Sequence, residues 1–247
     1  MTAAVSHPIE LVTFDLYDTL MELDPPRWVR LGNALCDFGI EASEASLMAS
    51  DLIAEDYYTI ENGGIPIRDR TIEEQQAFRL EYMRRWLEAA GLPCGREFAA
   101  EVRARYLAEF ESGWDHHAYR LFDDVMPTLH RLRAAGVKTA LISNADADVT
   151  NIAVHFAFAD RMDLLVTSAL VGYEKPDPRT YRAALDSLGV DPARSIHVGD
   201  QAKSDVVGAL GVGMQAALLD RYHRHSPGAH DGLIVASLTE LADLVLA

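Results

Sequence analysis

The chain has 247 residues, of which 49% are hydrophobic and 24% are charged, and both values are typical of globular domains. This composition argues against intrinsic disorder and allows one large domain or a domain with an insertion. The formal net charge of −16 repels the phosphate backbone of nucleic acids, so DNA and RNA are not expected partners.

The chain begins with a short strand and continues into a long helical segment. Ile9–Phe14 is an apolar run with β-branched residues, which predicts a buried strand that ends at Asp15. Residues 21–119 are rich in Ala, Leu, Glu and Arg. Apolar side chains recur there at helical spacing in Arg79–Ala90 and Glu97–Phe110, so we interpret this segment as a helical unit.

Strands and helices alternate after about residue 120. Such alternation predicts a parallel sheet covered by helices on both faces. The predicted strands are Val137–Ser143, Leu164–Thr167, Ser195–Val198, Met214–Leu219 and Leu233–Val235, and the predicted helices are Leu129–Ala135, Asp146–His155, Pro178–Leu188, Asp205–Leu210 and Leu238–Leu246.

The predicted fold class is α/β, with a Rossmann-like parallel-sheet core and an inserted helical cap. Residues 1–20 and 120–247 form the core in this prediction, and residues 21–119 form the cap. Ligands of such sheets bind beyond the carboxyl ends of the strands. Polar residues fall at several of the predicted strand ends, namely Asp15, Ser143, Asn144 and Asp200, the last of which follows Gly199.

Four segments, in order along the chain, carry a resemblance to a known family. They are FDLYDTL at Phe14–Leu20, LISN at Leu141–Asn144, EKPDP at Glu174–Pro178, and VGDQAKSD at Val198–Asp205. Each segment alone is common, but the ordered set resembles the four motifs of the haloacid dehalogenase-like superfamily. The resemblance covers the chain outside the predicted cap, and it implies a hydrolase.

The resemblance implies roles for five residues. Asp15 would be the nucleophile, because a carboxylate at a strand end can attack phosphorus or carbon and form a covalent intermediate. Thr19 and Ser143 would donate hydrogen bonds to the oxygens of the transferring group. Lys175 would keep Asp15 ionised and stabilise an anionic transition state. Asn144 would shape the loop after its strand.

The same resemblance implies a Mg²⁺ site. Its ligands would be Asp15, the main-chain carbonyl of Tyr17, and Asp200, and such hard oxygen atoms suit Mg²⁺. Asp205, the second acid of the fourth motif, belongs to the same group and would orient a water or Lys175. A helix N-cap is the alternative role for Asp205. The expected substrate is a small phosphorylated metabolite.

Tyr17 departs from the phosphatase pattern. Phosphatases of the superfamily usually carry a second Asp at this place, which protonates the leaving oxygen and then activates water. A phenol with a pKa near 10 is a poor general base at neutral pH, and losing this help costs roughly 100- to 10,000-fold. An extended backbone would point Asp18 away from Asp15, so we do not assign Asp18 the missing role.

Three functions therefore remain open. The 2-haloacid dehalogenases of the superfamily carry Tyr at the place of Tyr17, and their halide leaves without needing a proton or a metal. Gly199 and Asp200, however, are the metal-binding form of the fourth motif, which favours a metal-dependent phosphatase with an aspartyl-phosphate intermediate. A weakly active or purely ligand-binding relative is the third interpretation.

Further expectations concern the cap, the compartment and the assembly. Arg68 and Arg70 follow a Gly-Gly-Ile-Pro loop and are candidates to hold an anionic substrate, with a solvated loop as the alternative. The two cysteines, Cys36 and Cys94, are typical of a reducing compartment. Neither a signal peptide nor a membrane span is visible, so we expect a cytoplasmic protein. Its assembly as monomer or homodimer stays open.

Overall fold

A computed structural model describes residue 5 and residues 8–108, 118–225 and 231–247. Two compact units make up the chain. The core unit, as we call it, comprises Met1–Glu22 and Leu121–Ala247, and the helical unit comprises Leu23–Arg120. That the helical unit acts as a cap stays a prediction.

Every strand predicted from the sequence forms, with ends that differ from the prediction by no more than two residues. Two further strands, β2 and β3 of the following list, were not predicted. In chain order the strands are β1 (Leu11–Phe14), β2 (Met21–Leu23), β3 (Tyr119–Leu121), β4 (Lys138–Ser143), β5 (Leu164–Thr167), β6 (Ser195–Gly199), β7 (Gln215–Leu219) and β8 (Leu233–Val235).

Six of these strands form the sheet of the core unit, in the order β5-β4-β1-β6-β7-β8. All neighbouring strands run parallel. The central strand β1 is buried along its whole length, as expected when helices cover both faces of a sheet. The prediction of an α/β fold with a Rossmann-like core is therefore confirmed.

The two short strands β2 and β3 pair with each other, apart from the main sheet. Each has three residues. Their pairing joins segments almost a hundred residues apart, and three residues are too few for a periodic pattern to show. Both strands lie at the ends of the segment 21–119, whose interior is helical in the described residues.

α-Helices account for most of the remaining regular structure of the described residues. Within the described ranges, none of them is both long and apolar enough to cross a membrane. In chain order they are α1 (Arg27–Cys36), α2 (Glu44–Gly64), α3 (Ile72–Ala89), α4 (Arg96–Ala108), α5 (Val125–Ala134), α6 (Thr150–His155), α7 (Ser168–Val171), α8 (Pro178–Leu188), α9 (Val207–Gly211) and α10 (Leu238–Val245).

Four helices of the prediction differ clearly in their bounds. Helix α5 begins at Val125, four residues before the predicted start. Helix α3 begins earlier than predicted because Thr71 and Glu74 form a capping box at its start. Helix α6 begins only at Thr150, where the Asp148 carboxylate accepts from both the backbone N–H and the hydroxyl of Thr150. Helix α4 is described to Ala108, so the last two residues of the predicted helix lie outside the described ranges.

The helix predicted at Asp205–Leu210 divides into two parts. Ala202–Val206 forms a π-helical turn, and α9 continues from it. Such wide turns occur often at functional sites. Here the turn contains Asp205, whose N–H donates to the carbonyl of Gln201 while its side chain accepts from the Gln201 N–H.

The helical unit has a polar and aromatic interior of its own. Trp86 is fully buried and donates from Nε1 to the carbonyl of Leu47. Beside it, Arg27 pairs with the buried carboxylate of Asp51 at 2.9 Å. The Tyr82 hydroxyl donates to Glu55 at 2.7 Å. These buried polar groups are tolerated because the Arg27 and Asp51 charges pair with each other and the Tyr82 hydroxyl donates a hydrogen bond.

Candidate active site

The carboxyl edge of the sheet brings the first, second and fourth motifs together. Strand β1 lies between β4 and β6, so the ends of these three strands fall side by side. Asp15 follows β1, Ser143 ends β4, and Asp200 follows β6. The backbone N–H of Asp15 continues the pairing by donating to the carbonyl of Val198 at 2.9 Å. The predicted clustering of polar strand ends is thus observed.

Lys175 joins this cluster through two buried ion pairs. Its Nζ lies 2.7 Å from Oδ1 of Asp15 and 2.6 Å from Oδ1 of Asp205. The Lys175 side chain is 2% exposed and that of Asp205 is 1% exposed. Water is therefore excluded, and each charge depends on its partners for stabilisation.

Asn144 holds the backbone of Lys175 in place. Its Nδ2 donates to the Lys175 carbonyl at 3.0 Å, and its Oδ1 accepts from the Lys175 N–H at 2.6 Å. The side-chain amide thus satisfies both polar groups of one peptide residue. Asn144 of the second motif thus fixes the backbone of the third motif. This role is more specific than the loop-shaping role that the sequence implies.

Asp205 is fully engaged within the core unit. Besides Lys175, Oδ1 contacts Nε2 of His197 at 3.2 Å, and Oδ2 accepts from the N–H of Gln201 at 2.9 Å. Gly199 makes this arrangement possible. A Cβ at Gly199 would lie 2.2 Å from Cγ of Asp205, so any larger residue would displace the carboxylate.

Burial and charge set the protonation of the three paired groups. Burial raises the pKa of Asp15 to about 6, because the attraction of Lys175 only partly offsets the loss of hydration. For Asp205 burial acts in the same direction, but Lys175 and the hydrogen bond from His197 prevail and lower its pKa below the usual range. Burial opposes the charge of Lys175, but Asp15 and Asp205 raise its pKa above normal.

Asp200 has the least compensated negative charge of the site. Burial raises its pKa well above the usual value, and the carboxylates of Asp18, Asp205 and Asp15 add to the rise. Arg224 acts in the opposite direction, but its Nη2 lies 4.0 Å from Asp200 Oδ2, which makes a loose pair. The site therefore has more negative charge than its own cations balance.

Asp18 contributes to this excess through its backbone conformation. Its φ of 56° is left-handed, so the extended geometry assumed in the sequence analysis does not apply at this residue. A turn, in which the Asp18 N–H donates to the carbonyl of Met21 at 2.6 Å, replaces it. The turn leaves the Asp18 charge close enough to Asp200 to raise the pKa of that carboxyl.

The carboxylates have the spacing of a cation site. One oxygen from each of Asp15, Asp200 and Asp205 lies within 4.8 Å of the others. Hard oxygen atoms at this spacing suit Mg²⁺, which binds one or two carboxylates and keeps several waters. Because a divalent cation would also offset the excess negative charge, the residues present fit the predicted metal.

Two hydroxyl groups of the first and second motifs are buried without satisfied hydrogen bonds in the described part of the chain. Thr19 Oγ1 and Ser143 Oγ are buried, and neither has a hydrogen-bond partner among the described residues. An unsatisfied buried hydroxyl costs about 1–3 kcal/mol, so such groups in native proteins call for an explanation. Both residues belong to the motifs that the resemblance assigns to the transferring group, whose oxygens would supply the acceptors.

Tyr17 is unsuited to proton transfer in this setting. Burial, followed by the charges of Asp15 and Asp146, raises the pKa of its phenol to about 12. The phenolate is then inaccessible at neutral pH, so Tyr17 is a still weaker base than its ordinary pKa suggests.

The two predicted substrate arginines belong to the helical unit. Arg70 donates from Nη2 to the carbonyl of Glu61 at 2.8 Å and from Nε to that of Ile65 at 3.1 Å. Its guanidinium also lies 4.6 Å from the ring centre of Phe78. These contacts complete the carboxyl end of α2, a favourable place for a cation. Substrate binding by Arg68 and Arg70 stays a prediction.

Arg224 is a site residue that the sequence analysis missed. It comes from the loop after β7, where the Asp220 carboxylate accepts from the N–H groups of Arg224 and His225 at 2.7 and 3.0 Å. The Tyr222 hydroxyl fixes the same loop by donating to the buried Glu22 carboxylate. The sequence feature that could have indicated Arg224 is the cluster of basic residues that follows β7.

The haloacid dehalogenase-like hydrolase family is the class to which this fold and site belong. The family profile matches residues 9–213, which is most of the chain. The chain is therefore a hydrolase of the haloacid dehalogenase-like family, and the predicted family and enzyme class are confirmed.

Relatives within the family have different names. The bovine haloacid dehalogenase-like hydrolase domain-containing protein 3 is 26% identical over 227 residues, which cover 91% of this chain and 87% of that protein. A phosphoserine phosphatase from Thermus thermophilus is 35% identical over 166 residues, covering 66% and 64%. A crystal structure of 2-haloacid dehalogenase from Pseudomonas syringae is 26% identical, covers 96% and 98%, and superposes with a TM-score of 0.55.

Proposed function

We propose that this hydrolase is a Mg²⁺-dependent phosphatase that acts on a small phosphorylated metabolite through an aspartyl-phosphate intermediate. The observation that carries the proposal is the uncompensated buried carboxylate of Asp200 beside Asp15. Lys175 is committed to Asp15 and Asp205, and Arg224 contacts Asp200 only at 4.0 Å. A metal-free mechanism would have no use for this excess of negative charge.

Asp15 and Asp200 are the proposed protein ligands of Mg²⁺, with the main-chain carbonyl of Tyr17 as the third. When bound, the cation would neutralise the carboxylates and withdraw charge from the phosphoryl oxygens. Asp205 has a different proposed role, because Lys175, His197 and Gln201 already occupy both of its oxygens. We assign Asp205 to holding Lys175.

Asp15 acts as the nucleophile in the proposed reaction. Lys175 binds Oδ1, and the other oxygen, Oδ2, attacks phosphorus as the bond to the ester oxygen breaks. Thr19 and Ser143 donate their unsatisfied hydroxyl hydrogens to the phosphoryl oxygens. The leaving alkoxide takes a proton, and water then cleaves the aspartyl-phosphate to release phosphate and restore the Asp15 carboxylate.

Proton transfer is the slow step of the proposed reaction. Tyr17 cannot supply the general acid and base that related phosphatases take from an Asp, because its pKa is about 12. Solvent water must then protonate the leaving group and attack the intermediate without help. We expect turnover about 100- to 10,000-fold below that of a phosphatase with the usual Asp, and best for substrates with acidic leaving groups.

Arg224 is the proposed anchor for the substrate anion. Its side chain is 6% exposed, and its loop is fixed by Asp220. The planar Arg224 guanidinium, which lies 4.0 Å from Asp200, suits a phosphoryl oxygen geometrically.

Replacing Arg224 by glutamine should raise KM for the phosphorylated substrate by about 10-fold or more at saturating Mg²⁺, because a charged hydrogen bond is lost. Steady-state kinetics would measure this change, with kcat expected to fall much less. Arg182→Gln, at an exposed position of α8, is the matched control. An unaltered KM would remove Arg224 from the substrate site.

Dehalogenation is the second candidate function. Tyr17 favours it, because a halide leaves without a proton and so needs no acid at this position. The Pseudomonas syringae structure named a 2-haloacid dehalogenase agrees with this alternative. Asp200 speaks against it, since a second buried carboxylate without a cation would repel a carboxylate substrate. The phosphatase named among the relatives favours the first candidate.

Side-by-side release assays test the two functions. The protein is given an aryl phosphate or a 2-chloroacid, each with Mg²⁺ and with excess chelator, and free phosphate and halide are measured. We expect phosphate release that chelation abolishes and added Mg²⁺ restores. Halide release that survives chelation would reverse the proposal, and phosphate release that survives chelation would remove the metal from it.

A further inference from the structure

A line of hydrogen bonds runs through the core unit behind the catalytic pair. Thr13 Oγ1 lies 2.8 Å from Nδ1 of His197, and Nε2 of His197 lies 3.2 Å from Oδ1 of Asp205. The same Oδ1 contacts Nζ of Lys175, which reaches Asp15. His197 is completely buried within β6. No catalytic step described above uses this imidazole.

The partners of His197 determine where its proton lies. Asp205 is ionised beside Lys175, and a carboxylate only accepts hydrogen bonds, so Nε2 carries the hydrogen and donates. Burial lowers the pKa of His197, which agrees with a neutral ring. In a neutral ring with Nε2 protonated, Nδ1 is an acceptor, and the hydroxyl of Thr13 is its donor at 2.8 Å; the other acceptor for this hydroxyl, the carbonyl of Ile196, lies farther away at 3.5 Å. A hydrogen bond from Thr13 to Nδ1 therefore stabilises the tautomer that Asp205 needs.

The ring itself is held tightly. Tyr181 packs edge-on against His197 with ring centres 5.2 Å apart. The Tyr181 hydroxyl donates to the carbonyl of Ser204, in the π-helical turn that contains Asp205. Tyr181 thus holds the imidazole of His197 through ring packing and holds the turn that carries Asp205 through its hydrogen bond.

We propose that His197 is a positioning residue, which shares Oδ1 of Asp205 and thereby keeps Lys175 directed at Asp15. Lys175 is attracted by two carboxylates at almost equal distances, 2.7 and 2.6 Å. The bond from His197 disperses part of the Asp205 charge. Without it, Asp205 would attract the ammonium more strongly and draw it away from the nucleophile. The phosphoryl-transfer step would become slower, which lowers kcat, and substrate binding would change little.

The kinetic test compares two variants of His197 and rests on the proposed function. His197→Leu removes the donor, whereas His197→Gln keeps an N–H near the position of Nε2. We expect His197→Leu to lower kcat by about 10- to 100-fold with KM within about 2-fold, the loss of one hydrogen bond to a charged group. His197→Gln should recover most of the loss. Equal losses in both variants, or unchanged kcat in His197→Leu, would overturn the proposal.

The spectroscopic test is independent of any substrate. Nitrogen-15 NMR of the imidazole should show the hydrogen of His197 on Nε2 at neutral pH in the wild-type protein. Thr13→Val should shift the ring towards the other tautomer and lower kcat by a few-fold. Thr139→Val is the matched control, a buried threonine of β4 whose hydroxyl bonds to the carbonyl of Arg161. Thr139→Val should change neither the tautomer of His197 nor kcat.

Two outcomes of this test count against the proposal. A hydrogen on Nδ1 in the wild-type protein would overturn it, and so would a Thr13→Val protein with unchanged tautomer and rate. If no phosphatase activity is found, the proposed function fails, but the tautomer measurement still decides whether His197 donates to Asp205. If His197→Leu does not fold, Thr13→Val provides the decision, because it replaces a single hydroxyl of β1 with a methyl group of similar size.

Discussion

Replacing Asp15 by asparagine is expected to lower kcat for phosphate release by about 10⁴-fold or more, the size of effect found when a covalent nucleophile is removed. The reason is that the amide cannot form the aspartyl-phosphate. Lys175 keeps its bond to Asp205 in this variant, so the fold should survive. Steady-state phosphate release, together with mass spectrometry of acid-quenched enzyme for a phosphate adduct, measures both parts of the expectation.

The control for this change is Asp186→Asn, an exposed aspartate on α8, which should leave turnover at the wild-type level. Circular dichroism of both variants checks that the fold is intact. Full turnover by Asp15→Asn would exclude covalent catalysis at Asp15. An adduct that persists in this variant would move the nucleophile to another residue.

Replacing Lys175 by methionine is expected to reduce the free energy of unfolding by about 3–5 kcal/mol, as when one partner is removed from a buried ion pair. Asp15 and Asp205 would then be left buried without their shared cation. Turnover should also be lost, because the charge that stabilises the transition state is gone. Denaturant unfolding and phosphate release measure the two effects.

Lys138→Met is the matched control for stability. Lys138 is exposed and donates from Nζ to the carbonyl of Leu188 at 2.7 Å, so its removal should change the free energy of unfolding by less than about 1 kcal/mol. Added Mg²⁺ should recover part of the stability lost in Lys175→Met by neutralising Asp15. The ion-pair account would be contradicted if Lys175→Met were as stable as Lys138→Met already in the absence of Mg²⁺, and if Mg²⁺ changed that stability no further.

The Mg²⁺ proposal and the Lys175 expectation depend on the same feature, a buried site with more carboxylates than cations. Asp15 is shared between the lysine and the proposed metal, whereas Asp205 serves the lysine and Asp200 serves the metal. This division gives each acid a separate role. It also gives separate roles to the two aspartates of the fourth motif, which are five residues apart and of which Asp205 lies in the π-helical turn.

Much of the fold could be predicted from local sequence patterns. The strands that form the parallel sheet are short apolar runs bounded by turn residues, and a fully buried strand needs little else. Ends were less certain where a side chain overrode the pattern, as the Asp148 carboxylate does at the start of α6. The pairing of β2 with β3 could not be predicted, because a three-residue strand has no periodicity of its own.

The catalytic motifs were likewise visible in the sequence, because the chemistry requires particular residue types at strand ends. Asp15, Ser143, Lys175 and Asp200 were named from their motifs alone. Their neighbours were a different matter. An extended backbone was assumed at Asp18, but a left-handed turn leaves its charge close enough to raise the pKa of Asp200.

By itself, then, the sequence determined the parallel α/β core, the family and the residue types available for chemistry, since these depend on local pattern and on motif order. Only the tertiary structure decided which groups meet. Asp15 and Lys175 are 160 residues apart, and the contact of His197 with Thr13 spans 184. Arg224 reaches Asp200 through a loop that Asp220 fixes. Such contacts depend on sheet order and burial, which no local stretch of sequence encodes.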